Sequence, residues 1–186
     1  MIKKLLKTIL ISLIISSTLF LGSLKAQTTK TLIVYFSWGG NTKTVANIIQ
    51  NITKADMFVV KTVEAYPKDY NATVNQARSE LDNNVLPRLS SNINNLQTYD
   101  TIILCYPNWW GTIPQAVKQL LQTHNFSGKK IAPLCTHAGS RMGRSVNDIT
   151  KYCPNSTILE SLSISGNSAN SSEREIRNWL KNIGLL

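Results

Sequence analysis

Alternation of short apolar runs with amphipathic segments is the feature that most constrains the fold of this chain. Five runs rich in apolar and β-branched residues fit buried strands, at residues 30–36, 57–63, 100–106, 130–135 and 157–164. The segments between them fit helices, at residues 45–52, 70–83, 114–121, 140–152 and 172–183. The pattern predicts an α/β fold, a doubly wound five-stranded parallel sheet with helices on both faces.

Two of the predicted helices carry start signals. Pro114 stands where the third helix begins, a position at which the missing N–H of proline is harmless. Ser172, followed three residues later by Glu175, predicts a capping box at the start of the last helix.

The first 26 residues follow the pattern of a secretory signal peptide. Lys3, Lys4 and Lys7 precede an apolar run over residues 9–21, and Ala26 is a small residue before the expected cut. The run is shorter than the roughly 20 apolar residues of a relaxed membrane-spanning helix. We expect residues 1–26 to be removed from an exported, periplasmic or secreted, protein that then has no stable membrane association; the alternative is an uncleaved anchor. Residues 27–186 would form one domain.

The charge pattern argues against a nucleic-acid partner. The formal net charge is +10, and the four lysines before the expected cut account for four of these charges, which leaves +6. The remaining basic residues are scattered, and Lys129 and Lys130 form their longest run. Scattered charge is typical of a solvated surface.

The three cysteines predict neither a metal site nor a disulfide. No CxxC or Cys/His spacing suggests metal ligands. Cys105 and Cys135 fall at the carboxyl ends of neighbouring strands, where a bridge needs both side chains on one face of the sheet. Cys153 lies beyond the helix predicted at residues 140–152, which carries the chain to the opposite edge. We expect all three thiols to stay unbridged.

A glycine-containing loop separates the first strand from the first helix. The glycine pair lets backbone N–H groups turn toward an anion, hydroxyls add donors, and the helix directs its positive end to the same place. The sequence matches neither the P-loop nor the dinucleotide fingerprint. We predict a phosphate site, with an ordinary strand-to-helix turn as the alternative. The residues are Ser37, Trp38, Gly39, Gly40, Asn41 and Thr42.

Two adjacent tryptophans follow the third strand, where a parallel sheet has its binding crevice. Indole faces at this position can stack on a planar ring. We predict that at least one of them does so, and that the other packs against the sheet. The loop consists of Pro107, Asn108, Trp109, Trp110 and Gly111.

A third loop of small and polar residues follows the fourth strand and offers hydroxyl and backbone donors. Its histidine has no Ser/His/Asp or Cys/His arrangement around it, so no catalytic residue and no metal ligand is predicted. The loop consists of Thr136, His137, Ala138, Gly139 and Ser140.

Together the three loops resemble the FMN-contacting segments of the flavodoxin-like family. The similar stretches are YFSWGGNT, YDTIILCYPNWWGTIPQAV and FSGKKIAPLCTHAGSRMGRSVNDI, and the second carries the YPxWWG signature of one short-chain branch. The connection EAYPKDYNATVNQARSELDNN is similar to that branch as well. The likeness extends over nearly all of residues 30–186.

The resemblance implies strand order 2-1-3-4-5 and FMN as a non-covalent cofactor. It implies a phosphate in the loop 37–42 and a flavin ring between the loops 107–111 and 136–140, with the flavin supplying the redox chemistry. Two departures stand out. Gly39 replaces a hydroxyl residue that electron-shuttling flavodoxins usually carry, and the mature chain is basic where they are typically acidic.

The expected function is FMN-dependent electron transfer, and the expected partner is a redox protein or a small-molecule electron acceptor. An NAD(P)H-dependent quinone or nitro-compound reductase on the same fold is the alternative, and fold does not choose between the two. A third possibility is a binding module that has lost its cofactor. The retained glycines and tryptophans of the three loops argue against it.

Overall fold

The computed structural model describes residues 30–186, and the predicted signal peptide lies outside them. The strands are β1 (Thr31–Tyr35), β2 (Asp56–Val59), β3 (Thr101–Pro107), β4 (Lys130–His137), β5 (Thr157–Ile158) and β6 (Leu162–Ser165). The α-helices are α1 (Asn41–Thr53), α2 (Tyr70–Asp82), α3 (Gln115–Thr123), α4 (Ser145–Tyr152) and α5 (Glu173–Asn182). Short 3₁₀ helices span Leu96–Thr98 and Gly166–Ser171. Among the helices of this described part, none is long and apolar enough to cross a membrane.

The strands form one parallel sheet in the order β2-β1-β3-β4-β5, with β6 also paired to β4. This confirms the predicted fold class and the strand order that the resemblance implied. The fifth predicted run is two strands rather than one: β5 pairs with the start of β4 and β6 with its end. Between them the carbonyl of Glu160 accepts a hydrogen bond from Trp179 Nε1 at 2.8 Å. That carbonyl therefore bonds to a side chain of α5 and not to a neighbouring strand.

Each face of the sheet buries its own hydrophobic core, as alternating side chains of a covered strand require. On β3, Ile102 and Leu104 pack on the face that carries α3 and α4, and Ile103 packs on the face that carries α1 and α5. All three are at most 1% exposed. Burying a side chain of this size stabilises the fold by about 1.5–3 kcal/mol. Both layers of helices thus fix the strand ends that form the site.

The three cysteines are buried and unbridged in the structure. Cys105 is in register with Leu134, so Cys135 lies one residue further and on the opposite face. The predicted helix 140–152 begins only at Ser145. Arg141 and Gly143 have φ values of 50° and 53°, which the right-handed helix excludes, so a longer loop follows β4 than expected.

The predicted capping box at the last helix is wrong. Ser172 does occupy the N-cap of α5, but its side chain caps no backbone N–H. Its hydroxyl donates to the carbonyl of Ala169 at 2.8 Å instead. The reason is the preceding 3₁₀ helix, Gly166–Ser171, which brings the carbonyl of Ala169 within reach of the serine.

Candidate functional site

The carboxyl ends of β1, β3, β4 and β6 open into a cavity of about 500 Å³. It lies where the strand order reverses between β1 and β3, the usual ligand position in such sheets. Its volume is typical of small-molecule sites. Most of the predicted site residues line it: Ser37, Trp38, Gly39, Asn41, Thr42, Pro107, Asn108, Trp109, Trp110, Thr136, His137 and Ala138.

Four of the predicted site residues do not line the cavity: Gly40, Gly111, Gly139 and Ser140. The three glycines have φ values of 93°, 78° and 137°, which side chains rarely allow. They shape the loops, while their neighbours face the cavity. Ser140 is exposed on the loop that follows β4.

The loop after β1 presents unpaired donors to the cavity. Gly40 forms the N-cap of α1 in a left-handed conformation and offers no capping side chain. The backbone N–H groups of Gly39, Asn41 and Thr42 have no acceptor among residues 30–186. Such a cluster at a helix N-terminus attracts an anion.

The two hydroxyl residues of this loop keep further donors in place. Ser37 Oγ accepts a hydrogen bond from Lys43 N at 3.2 Å, so its own O–H can point outward. Thr42 Oγ1 lies 2.7 Å from Thr136 Oγ1. That bond joins the loop after β1 to the end of β4, and both threonines are buried.

Trp109 and Trp110 occupy a tight turn, and their environments differ. Backbone hydrogen bonds of 3.0 and 3.1 Å join Trp109 and Thr112, with positive φ at both residues between them. A positive φ is uncommon for a residue as large as Trp110 and marks a constrained turn. Trp109 is half-buried against Phe36 and Tyr66, whereas Trp110 is 45% exposed.

Contacts with α2 hold the exposed indole. Trp110 Nε1 donates to the carbonyl of Val74 at 3.2 Å. The guanidinium of Arg78 lies 5.0 Å from the centre of the indole, within the range of a cation–π contact. One face of Trp110 therefore contacts the arginine. Of the two tryptophans, Trp109 fits the predicted packing residue and Trp110 the predicted stacking residue.

Backbone contacts join the loops after β3 and β4. Asn108 Nδ2 donates to the carbonyl of Arg141 at 2.7 Å, and Asn108 Oδ1 accepts from Gly111 N at 2.9 Å. Gly143 packs so closely that a Cβ there would lie 2.2 Å from the carbonyl oxygen of Gly111. The two loops therefore form one unit.

Sequence reasoning missed two further walls. The first is the cavity-facing side of α2, formed by Tyr70, Thr73, Val74 and Ala77. The second is formed by Ser165 at the end of β6 and by Gly166 and Asn167 at the start of the following 3₁₀ helix. The small side chains of Thr73 and Ala77 on one helical face were a usable signal for the first wall. No sequence signal indicated the second wall, because the predicted fifth strand ended at residue 164.

The cavity lining carries no formal charge. None of its residues in the described part is Asp, Glu, Lys or Arg. His137 Nδ1 accepts a hydrogen bond from Gly139 N at 2.9 Å, so the proton of its neutral ring is on Nε2. The groups in this site that can bind an anion are therefore neutral hydrogen-bond donors and the N-terminus of α1.

Comparisons with known proteins agree with this arrangement. The flavodoxin family model matches residues 30–183. A protein from Bacteroides eggerthii DSM 20697, assigned as a flavoprotein, is 26% identical with a TM-score of 0.74, over 83% of this chain and 98% of that one. A flavoprotein from Lactobacillus acidophilus NCFM, solved in complex with FMN, is 27% identical with a TM-score of 0.64, over 81% and 98% of the two chains. No curated protein sequence matches the chain at a significant level.

Proposed function

This chain belongs to the flavodoxin family, and we propose that it is a flavoprotein that binds FMN in the cavity and transfers electrons through it. The single observation that carries the proposal is the loop after β1, where unpaired backbone N–H groups meet a helix N-terminus beside the cavity. The FMN complex of the relative from Lactobacillus acidophilus NCFM supports the choice of ligand. We further propose that the chain belongs to the short-chain branch with the YPxWWG signature, supported by the residues YPNWWG at 106–111.

The phosphate of FMN fits the loop after β1. Ser37, Thr42 and the amides of Gly39 and Asn41 supply donors, and no carboxylate lines the cavity to repel the phosphate. Open space surrounds the position where a Cβ of Gly39 would lie, so an anion can approach the backbone there. A helix N-terminus adds a favourable field for negative charge.

The flavin ring fits the part of the cavity that the two tryptophans line, called the ring end below. Trp109 and Trp110 offer indole surface, and Tyr70 and Val74 of α2 add apolar surface beside them. A mostly apolar wall with a few fixed polar groups is typical of cofactor sites. When bound, FMN would supply the redox chemistry, while these residues orient it and exclude water.

Export and partner choice are parts of the same proposal. The basic, apolar and small-residue order over residues 1–26 supports cleavage before Gln27 and a periplasmic or secreted location. The acceptor would be a redox protein or a small molecule. Sequencing the N-terminus of the protein recovered from outside the cytoplasm tests the first point, and a start at Met1 contradicts cleavage.

Titration of the purified protein, residues 27–186, with FMN tests the function directly. We expect flavin fluorescence to be quenched at one equivalent and the protein to become yellow. A protein that takes up no FMN contradicts the proposal. Steady-state oxidation of NADH or NADPH by the loaded protein would instead favour the alternative, a quinone or nitro-compound reductase.

A further inference from the structure

A carboxylate that the proposed function does not use lies behind the ring end of the cavity. Glu80 of α2 is only 7% exposed. Its Oε2 accepts a hydrogen bond from the hydroxyl of Tyr66 at 2.7 Å, and its Oε1 accepts one from Gln76 Nε2 at 2.9 Å. Each oxygen of this side chain therefore has one hydrogen-bond donor.

No cationic side chain neutralises this carboxylate. The ion pairs within residues 30–186 join other residues: Lys30 with Asp56, Arg78 with Asp82, Arg144 with Asp148 and Arg177 with Glu173. A charge that is buried without a counter-ion is unfavourable, and its field is not cancelled by a close partner. Glu80 therefore acts on its surroundings as a net negative charge.

The structure fixes Glu80 one side chain behind the cavity wall. The ring of Tyr66 meets Trp109 edge-on, with centroids 5.0 Å apart, and both Trp109 and Ala77 line the cavity. Gln115 Nε2 donates to the backbone carbonyl of Glu80 at 3.0 Å and holds the end of α2.

Tyr66 remains a proton donor in this position. Burial, together with the hydrogen bond to Glu80, raises the pKa of Tyr66 far above its usual range. The layer between carboxylate and cavity is aromatic, and such a layer screens charge poorly.

We propose that Glu80 lowers the midpoint potential of the bound flavin, an inference that rests on the proposed function. Each electron that reaches the flavin without a proton adds one negative charge to the cavity. A fixed negative charge behind Trp109 disfavours that added charge and so favours the oxidised cofactor. Removing the charge of Glu80 should therefore make reduced FMN bind more tightly relative to oxidised FMN.

The experiment compares Glu80→Gln with Glu64→Gln in the full-length, FMN-loaded protein, with dithionite as the electron donor. Both variants remove one negative charge, but Glu64 is exposed. We expect Glu80→Gln to raise the midpoint potential and to shift the ratio of the dissociation constants of oxidised and reduced FMN by about tenfold, as for a fixed charge that acts across a weakly screening aromatic layer. Glu64→Gln should change the ratio by less than about twofold, because exposed charges are screened.

Two further variants keep the test decisive. Glu80→Asp retains the charge and should stay near the parent potential. The double variant Glu80→Met with Tyr66→Phe replaces both partners by apolar groups of similar shape, which is tolerated better than removing one. The double variant should raise the midpoint potential as Glu80→Gln does. It replaces Glu80→Gln in the test if that single variant does not fold.

The outcomes separate the two proposals. If the parent binds no FMN, the proposed function fails. If the parent binds FMN and the potential of Glu80→Gln, or of the double variant, moves no more than that of Glu64→Gln, the inference about Glu80 is overturned and the function stands.

Discussion

The two ends of the cavity are built in different ways. The phosphate end takes its donors from six consecutive residues, 37–42, and one bond, from Thr42 to Thr136, ties this segment to β4 across 94 residues. The ring end is assembled from distant segments: Trp110 bonds to Val74 across 36 residues and Asn108 to Arg141 across 33. The phosphate end thus draws its donors from one segment, whereas the ring end brings together side chains that are distant in the sequence. Substitutions at the two ends should therefore separate binding from stability.

At the phosphate end, Ser37→Ala combined with Thr42→Ala should weaken FMN binding without unfolding the protein. Each lost hydrogen bond to a charged group is worth about 1.5–3 kcal/mol, so affinity should fall at least tenfold. Titration by flavin fluorescence quenching measures it, and a thermal melt checks the fold. Thr44→Ala, on the same helix but outside the cavity lining, is the control. A double variant that binds as tightly as the parent would put the phosphate elsewhere.

At the ring end, Gly143→Ala should destabilise the whole domain. The new Cβ would lie 2.2 Å from the carbonyl oxygen of Gly111, and φ is 53°. Overpacking together with backbone strain should reduce the free energy of unfolding by about 2–4 kcal/mol, measured by denaturant titration. The control is Gly184→Ala, which has a φ of 73° but nothing within 4 Å of the new Cβ. Equal stabilities for the two variants would show that the loops after β3 and β4 are not held together.

The two tryptophans sharpen the comparison within the ring end itself. Trp110→Ala should shift the spectrum of bound flavin, and lost stacking should weaken affinity by about 0.5–1.5 kcal/mol with little change in melting temperature. Trp109→Ala should mainly lower the melting temperature, because it removes the edge-on contacts with Phe36 and Tyr66. Absorbance spectra and melts of both variants measure this. Unchanged spectra in both, with FMN still bound, would exclude this wall as the ring site.

The last prediction concerns alkaline pH at the ring end. Burial raises the pKa of Cys135 from an ordinary 9.0 to about 12, and its Sγ lies 3.5 Å from the carbonyl oxygen of Arg141. The unfolded chain releases this proton at lower pH than the folded one, so the stabilisation is complete below pH 9 and is lost between about pH 9 and 12. Melting temperatures of the parent should fall more steeply over this range than those of Cys135→Ala. Parallel curves would contradict this.

The parts of the structure that could be predicted from the sequence are those that local residue patterns determine. The strands, the loop 37–42 and the position of Trp109 and Trp110 follow from periodicity, glycine placement and the polarity of a parallel sheet. The small side chains of Thr73 and Ala77 were the only sequence signal for the α2 wall, and its contacts with the loop after β3, such as Arg78 with Trp110, depend on the tertiary structure. The break between β5 and β6 depends on the bond from Trp179 to Glu160, which a pattern of apolar residues does not encode.

The position of β1 determines when during synthesis this domain can form. β1 comes first in the domain but lies inside the sheet, between β2 and β3. The bond from Lys30 N to Asp100 spans 70 residues, so the centre of the sheet stays open until β3 has left the ribosome. Pairings this distant are slow, because chain entropy is lost before contacts compensate for it. A nascent chain with this topology therefore leaves one edge of β1 unpaired until β3 arrives to cover it, and an unpaired strand edge is a template for association with other chains.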